Sequence, residues 1–190
     1  LVAEGDTVRT KAVDESLLVD PSLIIYRAMD RLGEDVVVAN GDQSDTILDG
    51  LRQGRTLQAS LESRTFEPDA PNYTPRISGL FHLGQDPFYT LSILRRSDDG
   101  SCDRSYYSYT ELEKGKAHLI HTYEGDGNPL PGFTGEPREV DLAGDADSIA
   151  DGIWEMLDRQ YRVAVCVKEI NLTGTDAVFA IRQGADNGLY

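Results

Sequence analysis

An alternation of short β-rich hairpins with two amphipathic helical stretches predicts an α+β domain with mostly antiparallel sheets and helices packed outside them. Three observations carry this. The run "DVVVAN" (35–40) and the paired runs "RISGLFHLG" and "FYTLSILRRS" have strand composition. Between them, "GDQSDTILDGLRQGRTLQASLES" (41–63) changes to helical spacing, with Ile47, Leu48 and Leu51 followed by Leu57 and Leu61. Near the C-terminus, "DADSIADGIWEMLDRQ" sets Ile149, Ile153, Trp154 and Leu157 on one stripe, with acids in the first turn where the helix dipole favours them.

Taken in order, "DPSLIIYRAMDRLG" (20–33) opens on an Asp-Pro turn and continues as a buried strand, joined by a glycine turn to the strand at 35–40. Gly54 divides the helical stretch in two, with Thr56 capping the second part and Ser44 or Asp45 the first. "GQDP" turns the hairpin that follows. "SYYSYTELEKGKAHLIHTYEG" reads as a further strand pair joined at "EKGK", then a Pro/Gly loop, "DGNPLPGFTGEPRE". "YRVAVCVKEINL" closes the series as a strand. No repeat or linker divides the 190 residues, so one domain spanning 1–190 is expected.

The charge narrows the partners. With 33 acidic and 18 basic residues the net charge is −15, which repels nucleic-acid phosphates. No apolar run is long enough for a membrane helix, and neither a signal peptide nor a dense cysteine framework is present. Cys102 and Cys166 stand alone, and a reduced cytoplasmic compartment is the simplest reading. Leu1 in place of an initiator Met suggests trimmed or omitted N-terminal sequence.

Three stretches hold candidate site residues. "ANGDQSDT" (39–46) sets Asn40, Gly41 and Asp45 between a strand end and a helix start, where backbone N–H groups can meet an anion; an ordinary strand-to-helix turn has the same pattern. In "EPDAPNYTPRISG" (67–79), Pro71 and Pro75 stiffen a loop bearing Asn72, Tyr73, Thr74 and Arg76. There Arg76 either grips an anionic or carbonyl oxygen of a ligand or pairs with Glu67 or Asp69 in a rigid turn. "HLIHTYEGDGNPLPG" adds His118, His121, Tyr123 and Asn128. On a strand, His118 and His121 would face opposite ways, which speaks against a shared metal, while His121 and Tyr123 would share a face.

Read together, "DPSLIIY", "VVVANGDQSDTI", "EPDAPNYTPRISG" and "HLIHTYEGDGNPLPGF" resemble the archaeal-type IMP cyclohydrolases and their bacterial relatives, from about Arg9 to Phe133, with looser agreement beyond. The resemblance implies dehydrative closure of 5-formamidoimidazole-4-carboxamide ribonucleotide to IMP in purine biosynthesis. It also implies a four-layer α/β/β/α sandwich like that of Ntn hydrolases, without a self-processing nucleophile. Its partner is then a purine ribonucleotide, neither nucleic acid nor membrane, with no metal or other cofactor and with homo-oligomer formation left open. By the same resemblance Tyr26 is the proton donor, His121 or Glu67 the proton relay, and Arg76 part of the catalytic set. Asn40, Gly41, Asp45, Asn72, Tyr73, Thr74, Tyr123 and Asn128 surround the substrate, and Arg9 and Lys11 in "RTK" hold its phosphate. Relatives carry a preceding segment with an early strand and an arginine-rich loop that lies outside residues 1–190, so the domain is expected to lack an N-terminal part. A non-catalytic nucleotide-binding protein on the same scaffold is the alternative.

Overall fold

The computed structural model describes residues 1–12, 24–172 and 176–184. The first part of the expected strand at 20–33 lies outside them. Strands β1 (Val2–Glu4), β2 (Thr7–Arg9), β3 (Arg27–Leu32), β4 (Asp35–Ala39), β5 (Arg76–His82), β6 (Phe88–Arg96) and β7 (Cys102–Tyr109) form one seven-stranded sheet in sequence order. Every neighbouring pair in it is antiparallel. Gly33, with φ 62°, makes the tight turn from β3 to β4, a conformation glycine adopts without the Cβ penalty.

Helices α1 (Gln43–Arg52) and α2 (Leu57–Leu61) lie between β4 and β5. They cover one face of the sheet because Ile47, Leu48, Leu57 and Leu61 recur at helical spacing and meet Val37, Leu80 and Leu94, one from each of three adjacent strands, with Val37 directly opposite Leu80. All seven are buried, and this is the main core. Thr56 caps α2 as expected, accepting the N–H of Ala59 at 3.2 Å. The start of α1 differs from expectation. Asp42 occupies the cap position without a side-chain cap bond, earlier than a Ser44 or Asp45 cap would give, because its carboxylate is engaged elsewhere.

The tyrosine-rich stretch corrects a second expectation. β7 pairs with β6 over eight residues, whereas β8 (Lys116–Leu119) pairs with β9 (Arg138–Asp141) in a separate ribbon. β7 and β8 thus belong to different sheets and meet through side chains. The Tyr109 and His118 rings stack with centroids 3.7 Å apart, and the Tyr89 hydroxyl contacts His118 Nδ1 at 2.5 Å. β8 ends at Leu119, so only His118 is a strand residue, and the face argument for His121 and Tyr123 does not apply.

Helix α3 (Ala146–Met156) is capped by Asp145, which accepts the N–H of Ser148 at 2.8 Å. It packs on the hairpin of β10 (Ala164–Ile170) and β11 (Ala177–Gln183) through Ala146, Ala150, Ala180 and Val167. β11, like β1 and β2, carried too short or too mixed a pattern to be expected. Lys168, its side chain 1% exposed, pins the hairpin to the β1–β2 turn by bonds to Asp6. The architecture is mixed α and β, with antiparallel sheets and few helices. Among the described residues, no helix is long and apolar enough to cross a membrane.

Candidate functional site

One end of the large sheet gathers the segments that the sequence singled out. β3 begins there after Tyr26, β4 ends there just before Asn40, and β5 starts there at Arg76. The loop 66–75 enters β5 at this end, and the loop after β8 folds against it: Tyr123 bridges Gly132, and Phe133, 1% exposed, is buried beneath.

Arg76 is the hub. It is 5% exposed, and its Nη1 donates to Asp42 Oδ1 at 2.7 Å and Gln43 Oε1 at 2.8 Å. Glu67 Oε1 lies 3.4 Å from the same nitrogen. Arg64 donates to the same oxygen that Arg76 uses, Asp42 Oδ1. Arg76 Nη1 is therefore committed to protein acceptors, as in the pairing alternative, with Asp42 as its main partner in place of Asp69. Burial drives this: a guanidinium taken out of water must be matched by anions and acceptors.

Gly41 explains the close packing. A Cβ there would lie 2.7 Å from Arg76 Nη1, 2.7 Å from Gln43 Oε1 and 3.0 Å from Glu67 Oε1, so any side chain would displace the cluster. Asn40 is fully engaged. Its Oδ1 accepts from Ile77 N and Gln43 Nε2, both at 2.9 Å, while its Nδ2 donates to Pro75 O at 2.9 Å and Thr122 Oγ1 at 3.2 Å. Those four bonds exhaust the amide, so Asn40 fixes the strand ends together and has no valence left for a ligand.

The proline loop is held by Asp69, which accepts from Thr74 N at 2.7 Å and from the Thr74 hydroxyl. The same hydroxyl meets the Tyr123 hydroxyl, joining the two loops. Asn72 Oδ1 ties them again by accepting Leu130 N at 3.1 Å. Tyr73 has φ 47°, a conformation that costs a bulky residue about 1–3 kcal/mol and persists only where its surroundings hold it. Here the Phe66 ring packs edge-on and the Arg96 guanidinium lies 4.5 Å above the Tyr73 ring.

The electrostatics point to proton-bearing groups. Burial pushes the Glu67 carboxyl above its ordinary value, Arg76 opposes this, and the negative charges of Asp69 and Asp42 add to the rise. Burial raises Tyr26, and the Glu67 charge raises it further. Tyr123 is likewise raised by burial, with Asp69 and Glu67 adding. For Asp42, burial acts upward but is outweighed by Arg64 and Arg76, which hold it below the usual range. The result is two phenols and one carboxyl shifted upward, beside one aspartate held low.

The remaining expected residues sit further from this centre. His121 Nδ1 contacts Tyr123 O at 2.7 Å and its ring packs on Phe133, so it braces the loop. Asp45 accepts from Arg27 Nε at 2.5 Å on the outer side of α1. Arg9 and Lys11 are exposed and flank Thr10, whose hydroxyl accepts from Tyr26 N at 2.9 Å. Asn128 is exposed, at a cis bond to Pro129. Asp42, Gln43 and Arg64 were missed as site residues. Asp42 and Gln43 were legible only as turn and helix start, and nothing local marks Arg64, which arrives through the fold.

Comparison with known proteins bears on this site. The chain is 24% identical over 178 residues to a protein named IMP cyclohydrolase from Haloquadratum walsbyi, with 92% of this chain and 78% of that protein covered. A family model described as IMP cyclohydrolase-like protein matches residues 1–175, a span that includes every segment of the Arg76 cluster. With that span matched, the chain belongs to the IMP cyclohydrolase-like protein family.

Proposed function

We propose that the protein is an IMP cyclohydrolase, closing the purine ring of 5-formamidoimidazole-4-carboxamide ribonucleotide with loss of water. The observation that carries the reading is that Tyr26 and Glu67, close enough for their charges to interact, lie beside the buried Arg76 cluster within the span matched by the family. Family membership supplies the substrate class.

Both reacting groups already sit on one imidazole, so the task is to hold them in a near-attack arrangement and manage two protons. The carboxamide nitrogen adds to the formyl carbon, forming the C–N bond, and the formyl oxygen takes a proton from Tyr26. The carboxamide nitrogen then gives up one proton, the hydroxyl leaves as water after a second protonation, and the formamide nitrogen loses its proton as its C=N bond completes the ring. Glu67 relays these protons, replacing His121, whose Nδ1 already faces a carbonyl. Positioned groups of this kind typically contribute about 10²–10⁴-fold each. Tyr123, Thr74, Tyr73 and Asn72 shape the wall beside the ring, and Asn128 lies at its rim. Arg9 and Lys11 meet the phosphate. Arg76, Asn40 and Gly41 act from behind, setting charge and strand spacing, and Asp45 acts only through Arg27. The same reading stacks α1 and α2, the large sheet, the outer ribbons and α3 as a four-layer α/β/β/α sandwich of Ntn type. It places the protein in the cytoplasm, where purines are made.

The test is conversion of the formylated ribonucleotide to IMP by purified protein, followed by ultraviolet absorbance. Turnover well above the spontaneous rate is expected. IMP binding by calorimetry with no turnover would overturn the enzyme reading in favour of a non-catalytic nucleotide-binding protein.

A further inference from the structure

The Arg76 guanidinium is not shared equally between its two carboxylates. Nη1 is 2.7 Å from Asp42 but 3.4 Å from Glu67, beyond the range in which an N–H···O contact acts as a good hydrogen bond. Among the described residues, no donor forms a hydrogen bond to the Glu67 carboxylate, although Glu67 is 7% exposed. Asp42 is fixed where it is: its carbonyl accepts Asp45 N at 3.1 Å at the start of α1, and Arg64 holds the same Oδ1 that Arg76 uses.

We propose that Asp42 is a positioning residue: by engaging Arg76 it keeps that cation off Glu67, and so leaves Glu67 as the group able to hold and pass on a proton. The charged and titratable groups around Glu67 come from every side. They are Arg76 from β5, Asp42 before α1, Arg64 after α2, Asp69 from its own loop, Tyr26 before β3 and Tyr123 after β8. Two of these are cations, and each has Asp42 as its carboxylate partner at hydrogen-bond distance. Asp42 thus takes the closest contact of both cations that pull on Glu67. The catalytic meaning of this rests on the proposed reaction, but the charge arrangement is a property of the resting protein.

Two substitutions pull in opposite directions. In Asp42→Asn the guanidinium of Arg76 loses its anion and closes on Glu67, and a repelling charge disappears. The Glu67 titration midpoint then falls by about one pH unit or more. In Arg64→Gln, Asp42 keeps Arg76 alone and a nearby cation is gone, so the midpoint rises. The measurement is a carboxyl ¹³C NMR titration of the full chain, with the Glu67 signal identified by its loss in Glu67→Gln. Opposite shifts support the proposal. It is overturned if Asp42→Asn leaves the midpoint in place or raises it, or if both variants move it the same way. Should Asp42→Asn fail to fold, Arg64→Gln alone decides, and an unchanged or lowered midpoint sinks the idea. Opposite NMR shifts in a protein without turnover would uphold the charge arrangement while the proposed reaction failed. In an active enzyme, the pH profile of kcat moves with the midpoint.

Discussion

Arg76 and Arg182 each lie between two carboxylates, and they do different work. Arg76 is 5% exposed at the end of the large sheet, bonded to Asp42 and within 3.4 Å of Glu67. Arg182 sits on the outer hairpin, with Nε 2.6 Å from Asp151 and Nη2 2.9 Å from Asp147 of α3. The distances alone would rank Arg182 as well paired as Arg76. Solvent reverses the ranking: an exposed pair is screened and must hold two side chains in place, so it contributes little. Arg76 and Glu67 are largely closed off from water, which can do little to replace a lost partner, so each group of the cluster influences the protonation of the others.

The largest expected effect separates chemistry from folding. Glu67→Gln should slow turnover by about 10²–10⁴-fold while leaving unfolding at neutral pH unchanged or raised to higher temperature. The sign follows from the raised carboxyl. Its contribution to stability is complete below the ordinary glutamate range and is lost as pH rises through the folded value, and an amide carries no charge to desolvate at any pH. A marked fall in melting temperature would show Glu67 to be structural.

Next comes Arg76→Ala. It strands Asp42 and Glu67 around an empty space and should cost about 3–5 kcal/mol in denaturant unfolding. A loss below about 1 kcal/mol would mean that water reaches this cluster as freely as it reaches Arg182. Tyr26→Phe should slow turnover about tenfold or more and leave IMP affinity nearly intact, measured by steady-state kinetics beside calorimetry. An unchanged rate removes Tyr26 as the proton donor.

A smaller effect appears in acid. Asp42 is held below its ordinary range, so its stabilisation is present above that range and disappears as pH falls through the folded value. Asp42→Asn should therefore flatten the acid limb of a plot of melting temperature against pH. Smallest of all is Arg182→Ala, which should leave turnover unchanged and melting nearly so. A large drop would show that the outer hairpin depends on its surface pairs.

Much of the local structure was legible because period is a local property. The valines of β4, the Ile47–Leu48–Leu51 spacing of α1, the Thr56 cap and the α3 stripe each follow from a few neighbouring residues. The stripe itself proved less buried than Ala146 and Ala150, because small residues allow α3 to lie close on its hairpin. Strand partnership was less legible. β7 and β8 read as a hairpin, yet an eight-residue ladder with β6 takes β7, and ladder partners are a choice made between distant segments. The candidate site divides in the same way. The segments bearing Tyr26, Asn40, Glu67, Thr74 and Tyr123 were marked by their composition. That Asn40 has no free valence, and that Arg76 faces Asp42, depends on how β4, β5 and α1 meet.

From the chain alone came the α+β character, the positions of the helices, the proline-stiffened loop and a strongly acidic surface, all properties of composition or of short-range spacing. Only the tertiary structure decided which carboxylate takes the arginine and which is left to carry a proton. Those two outcomes turn on differences of less than an ångström and on exclusion of water, and both arise when segments remote in sequence are packed together.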